Sequence, residues 1–225
     1  MQNILDDILL SNDVLKSFYD NYHGEFKDWL LNIIPEVEDC YNRHQDNPWH
    51  IYNVLEHILH SVEEMNKQTT YLEYSTRRML AYVMFFHDIG KPKSHIRRYS
   101  KLYGREVDSF FGHNIASVKI ADRVLNQLNF NSQEIEVMKK LIENHDVFMF
   151  ITLNDDGNSH HRVLTEEYLK EIITSLSMDN NGYTLMEYLI MVGRSDSLSQ
   201  NPKMTVNSLR LLDKMENMLK KIRTN

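Results

Sequence analysis

Asp196 stands where a helix should present an apolar side chain. It continues the spacing of Leu189 and Val192, so helical periodicity turns its carboxylate onto a buried face. An unpaired ion there is expensive, and the position therefore calls for a cation, either a basic side chain or a metal. His87 falls on the stripe made by Leu80, Val83 and Met84, and Asp88 follows it in the last turn. His57 lies beside the stripe of Ile51, Val54, Leu55, Ile58, Val62 and Met65, whereas His60 points almost opposite and is expected to be solvated. His145 extends the stripe of Met138, Leu141 and Ile142, and His113 begins a helix just after Gly112. Taken singly, each has an ordinary structural explanation, as a core histidine bonded to a carbonyl or an aspartate paired with arginine. Jointly, separated helices turn imidazoles and carboxylates inward, and these groups hold a catalytic divalent ion while leaving positions open for water and substrate.

Such a site requires helices that place its ligands in one interior, as helix bundles do. The 225 residues include 7 glycines and 4 prolines, too little turn punctuation for a many-stranded protein. About eight amphipathic helices are expected. The first carries Ile4, Leu5, Ile8 and Leu9, and a second stops before Pro35. After a loop with Asn47 and Pro48 come the His57 helix and the His87 helix, the latter closing at Gly90 as C-cap and Pro92. Helices follow over about residues 112–128, from Asn131 or Ser132, over 165–176, 184–198 and 206–222. Residues 148–161, with an Asn154-Asp155-Asp156-Gly157 turn signal, are the least helical part, expected as a mobile loop or short hairpin. The expected fold class is all-α, a single-domain bundle spanning 1–225. Its core motifs occupy 47–202, with N-terminal helices 1–46 and a C-terminal helix 203–225 packed on them.

A net charge of −7 argues against general DNA binding. The single cysteine, Cys40, is read as a packing residue. The opening MQNILDDILLSND lacks a basic stretch and carries Asp6 and Asp7, unlike a secretory signal, so a cytoplasmic location is expected. The strongest apolar run, residues 80–86, is far shorter than the ~20 residues of a membrane span.

The string FHDIGKP at 86–92 resembles the signature of the HD-domain metal-dependent phosphohydrolases. LEHILH around His57, FFGHNIAS around His113, LIENHD around His145 and RSDSLSQNP around Asp196 follow in the order of that superfamily. NPWHIYNVLEHILHS, at 47–61, further resembles the HD domain of bacterial tRNA nucleotidyltransferases, the CCA-adding enzymes. The resemblance implies an HD-type bundle with His57, His87, Asp88 and Asp196 as metal ligands, and His113 and His145 at a second ion or on substrate phosphate. It also implies that Lys91 lies near that phosphate. One or two divalent ions are expected, among Mg, Mn, Ni, Zn or Fe. The 46 preceding residues are too few for a nucleotidyltransferase domain, so nucleotide addition is not implied. The cyclic-dinucleotide branch is disfavoured, because Gly182-Tyr183 is not followed by proline.

The combined expectation is a phosphohydrolase that cleaves a phosphomonoester or phosphodiester of a nucleotide or RNA end with metal-activated water. Asp88, Lys91, His113 and His145 are its catalytic candidates. The competing readings are a 5'-nucleotidase or dNTP hydrolase, and a non-catalytic HD-fold module that binds tRNA or a protein partner. The basic run from Lys91 to Arg105, with Lys93, Arg97, Arg98 and Lys101 and no acidic residue, suggests phosphate contacts. Lys91, Arg97 and Arg98 are therefore substrate-binding candidates, joined by His113 and His145 through the resemblance, for a small phosphorylated partner.

Overall fold

The structure is a computed structural model that describes residues 1–224. Its helices are α1 (Gln2–Leu9), α2 (Val14–Asn21), α3 (Gly24–Ile33), α4 (Glu36–Tyr41), α5 (Val54–Gln68), α6 (Tyr74–His87), α7 (His113–Gln127), α8 (Ser132–Asn144), α9 (Glu166–Leu176), α10 (Gly182–Leu198) and α11 (Val206–Thr224). Eleven α-helices among the described residues correct the expected eight. The additions include α2, which buries only Val14 and Phe18, and α4, of 6 residues, so neither shows a repeating apolar stripe. Asp13 nonetheless caps α2 by accepting from the Lys16 N–H.

The bundle is built around α6, in which every residue from Met79 to His87 is buried. It packs on α1, α5, α7, α8 and α10, and an all-round buried helix of this kind is what the apolar run at 80–86 produces. Buried side chains from all these layers join one continuous hydrophobic cluster that reaches α11. Cys40 is part of it, with its thiol 3.6 Å from the Ile89 carbonyl.

Two small sheets modify the all-α expectation. Strands β1 (Ile96–Ser100) and β2 (Arg105–Ser109) form an antiparallel hairpin, with Ile96 opposite Ser109. This hairpin takes up most of the basic run. It is tied to the loop before α5, where the Asp46 N–H donates to Asp108 at 2.7 Å and the Asp108 N–H donates to the Asp46 carbonyl at 3.0 Å. Strands β3 (Ile151–Thr152) and β4 (Arg162–Val163) pair in parallel, so the 148–161 segment is not a hairpin. The chain leaves a 3-10 turn at His145–Phe150, loops back through Gly157, whose φ is 73°, and returns in the same direction.

Gly90 also differs from expectation. Asp88 is the C-cap of α6, and Gly90 has φ −80°, which any residue adopts. Its need is steric, since a Cβ there would lie 2.4 Å from the His113 carbonyl and 2.5 Å from the Ser117 N–H. The first turn of α7 can thus press onto the segment after Asp88, where the Gly90 N–H donates to Ser117 Oγ at 2.9 Å. Sequence reading placed a cap where the fold needed a close approach.

Candidate metal centre

Helix periodicity brings His57 from α5, His87 from α6 and Asp196 from α10 to one interior point, with Asp88 at the end of α6. His57 Nε2 lies 3.0 Å from both Asp88 Oδ2 and Asp196 Oδ1, and His87 Nε2 lies 3.3 and 3.7 Å from the same two atoms. Bonds of about 2.0–2.2 Å to a shared ion would separate neighbouring ligands by roughly these distances. Both Nε2 atoms are buried and lack a partner in hydrogen-bond geometry among the described residues. The rings approach the carboxylates without aiming at them, as ligands of a common ion do.

The far side of each ring fixes its tautomer. His87 Nδ1 lies 2.6 Å from the Met84 carbonyl, His113 Nδ1 2.8 Å from that of Phe110, and His145 Nδ1 2.7 Å from that of Ile142. His57 Nδ1 lies 3.1 Å from Ser199 Oγ. A neutral ring that donates from Nδ1 turns a lone pair outward from Nε2, the arrangement that supports metal ligation.

A second group forms around the other oxygen of Asp88. His113 Nε2 lies 3.0 Å and His145 Nε2 3.7 Å from Asp88 Oδ1. Asp146 adds its carboxylate, 3.3 Å from His113 Nε2 and 3.4 Å from His145 Nε2. Asp88 thus stands between two clusters, with one oxygen toward each. Among the described residues, the ligand atoms of His57, His87, Asp88 and Asp196, and those of Asp88, His113 and His145, gather closely enough for an ion.

Electrostatics matches the geometry. Burial opposes the charge on Asp88 and Asp196, yet Lys91 and His87 hold Asp88, and His57 and His87 hold Asp196, well below the usual carboxylate range. Burial likewise disfavours charge on His87, but Asp88 and Asp196 outweigh it and push His87 up to about 10. His145 rises too, against its burial, through Asp146 and Asp88. Without an ion, this site attracts protons, as a cluster built for cations should.

Residues 49–177, more than half of the chain, match the HD domain. The chain belongs to the HD domain family. HD domains form a metal-dependent phosphohydrolase superfamily, and the His/Asp cluster of this one fits a metal site. The matched stretch holds His57, His87, Asp88, His113 and His145, while Asp196 comes from α10 beyond it. No curated protein matched the chain.

Lys91, singled out in the sequence, is joined at this HD centre by Gln45, His50, Gln200 and Asp146, which escaped sequence reading. Lys91 Nζ, buried, lies 2.6 Å from Asp88 Oδ2 and 3.0 Å from Gln45 Oε1, and 3.4 Å from His50 Nε2. The His50 ring stacks edge-on to His57 at 5.0 Å, and burial, then Lys91, hold it well below its ordinary value. Gln200 donates to Asp196 Oδ1 at 2.9 Å. Gln45 and His50 sit in a loop with no period to read. Asp146 had a signal, its position next to His145.

The basic run divides in its tasks. Arg97 is engaged by Asp46 at 3.0 Å and Asp108 at 3.2 Å, with Glu106 at 3.7 Å, so it straps the hairpin to the loop that carries Gln45 and His50. Arg98 lies 5.8 Å from the Phe111 ring. His60, expected in solvent, is half-buried beside Glu63 and Tyr52. No described helix is long and apolar enough to cross a membrane.

Proposed function

We propose that this chain hydrolyses a phosphomonoester or phosphodiester bond of a nucleotide or RNA end, using one or two divalent ions. The observation that carries this reading is the pair of buried, partnerless Nε2 atoms of His57 and His87 beside the carboxylates of Asp88 and Asp196. A divalent ion in that set supplies an acidified water and a Lewis acid for a phosphoryl oxygen.

The chain's own groups then have distinct tasks. His57, His87, Asp88 and Asp196 hold the first ion. Asp88 turns its other oxygen to His113 and His145, which suits it to orient a nucleophile between the two groups. Because the Nδ1 atoms of His113 and His145 face carbonyls, their Nε2 atoms are turned to the site, to hold a second cation or to meet a phosphate oxygen. Lys91 places a cation at the inner edge of the site, where charge develops on the phosphoryl oxygens. Arg98 is left to steer the anion in, since Arg97 is committed to carboxylates.

The resemblance of 47–61 to the CCA-adding enzymes' HD domain directs the substrate search to RNA ends and 2',3'-cyclic nucleotides, alongside 5'-nucleotides and dNTPs. Metal-loaded protein should be assayed for product release against that panel, with a chelator control. Hydrolysis of at least one phosphoester, abolished by the chelator and restored by metal, is the expected result. No turnover on the panel by metal-bearing protein would instead favour a binding module.

A further inference from the structure

Helix α7 has two faces. His113 and Ser117 turn inward, whereas Ile115, Lys119 and Arg123 follow one another at four-residue steps on a face that borders a cavity of about 470 Å³. The cavity is open to solvent on this side, where Ile115, Lys119 and Arg123 are exposed. Glu36 of α4 and Lys93, two residues after Lys91, line the opposite wall, with Gly112 at the N-terminus of α7. No residue of the metal centre lines it.

The charge of this cavity runs against that of the chain. Lys93, Lys119 and Arg123 face a single carboxylate, Glu36, leaving two positive charges in a chain of net charge −7. Two of the cations are held in place. The buried Glu36 carboxylate takes Lys93 Nζ at 2.8 Å on one oxygen and Arg123 Nη2 at 2.7 Å on the other, while Arg123 Nη1 donates to the Ile33 carbonyl at 2.7 Å. Lys119 has no carboxylate partner among the described residues. The positive end of the α7 dipole at Gly112 adds to the same potential, and Ile115 and Ile120 supply apolar wall. Lys93 and Arg123 are already paired with Glu36, so Lys119 is the cation that an anion would meet first, with one further positive charge in excess on the Glu36 triad.

We propose that this cavity is a second anion site, separate from the metal centre, for the phosphate end of a small molecule that carries at least two negative charges and an apolar body. Its occupant would contact α7 and the turn after Lys91, the two elements that present His113 and Lys91, and is therefore placed to act as an effector.

The test is calorimetric titration of pyrophosphate into the full-length, metal-free protein, so the outcome does not depend on the hydrolytic reading. Wild type should bind one equivalent saturably. Lys119→Glu, an exposed change checked by circular dichroism, should weaken binding at least tenfold, and Lys91→Ala should leave it unchanged. Equal affinity in Lys119→Glu and wild type would overturn the proposal. So would loss of binding in Lys91→Ala, which would place pyrophosphate at the metal centre, or no saturable binding at all.

Discussion

The Nε2 atoms of His113 and His145 stand 3.1 Å apart, while the Nδ1 atom of each faces a backbone carbonyl. With each Nδ1 turned to a carbonyl, the two Nε2 atoms meet across a gap that a shared proton or a cation bridges. Where wild type takes up two ions, His145→Ala should therefore lose the second and keep the first. Metal analysis after reloading and gel filtration checks this, and a variant that still held two would remove these histidines from the ligand set.

Metal uptake should release protons. In the metal-free protein His87 is pushed to about 10 from 6.5, against its burial, by Asp88 and Asp196, so at pH 7 it carries a proton that an ion must displace. For the metal-free fold the raised value means that this group's stabilisation is complete below about 6.5 and lost as pH climbs through about 10. Metal affinity runs the opposite way and should rise across that window. Titrations in two buffers of different ionisation enthalpy should give different apparent heats at pH 7; identical heats would show that no proton leaves.

Gly90→Ala places a methyl group 2.4 Å from the His113 carbonyl and 2.8 Å from Ala116 Cβ. Backbone cannot yield as a flexible side chain can, so the variant should lose about 1–3 kcal/mol of stability and displace His113 from Asp88. Denaturant unfolding and metal stoichiometry measured together decide it. Wild-type stability would mean that α7 can retreat freely.

Lys91→Ala should lower the turnover number by roughly 10- to 1000-fold, as expected for a lost transition-state contact. Arg98→Ala should mainly raise the Michaelis constant and weaken its salt dependence. Arg97→Ala should do neither, and should instead speed amide exchange in β1 and β2, because its partners are Asp46 and Asp108. Steady-state kinetics at two ionic strengths with hydrogen exchange separates the three. A salt effect centred on Arg97 would reverse the assignment.

The residues legible in the sequence are those whose placement follows from a long helix. His87 and Asp196 sit at phases of the 3.6-residue period that face the interior, His57 lies beside such a stripe and Asp88 follows His87 at the helix end, and the structure gathers these four. Gln45 and His50 were illegible because their loop is positioned by a hairpin about 60 residues on, through Asp46 and Asp108. The hairpin itself hid within a basic run whose exposed strand β1 shows no buried alternation. Gly90 was misread because φ and packing demands both favour glycine, and the chain's composition does not tell them apart.

The most direct test of the centre is the divalent metal content of purified, reloaded protein beside an Asp88→Ala variant, with helical circular dichroism recorded for both. Asp88 contributes an oxygen to each cluster, so wild type should hold one or two ions and the folded variant nearly none. Equal metal in both, or none in either, would contradict a metal site built on His57, His87, Asp88 and Asp196.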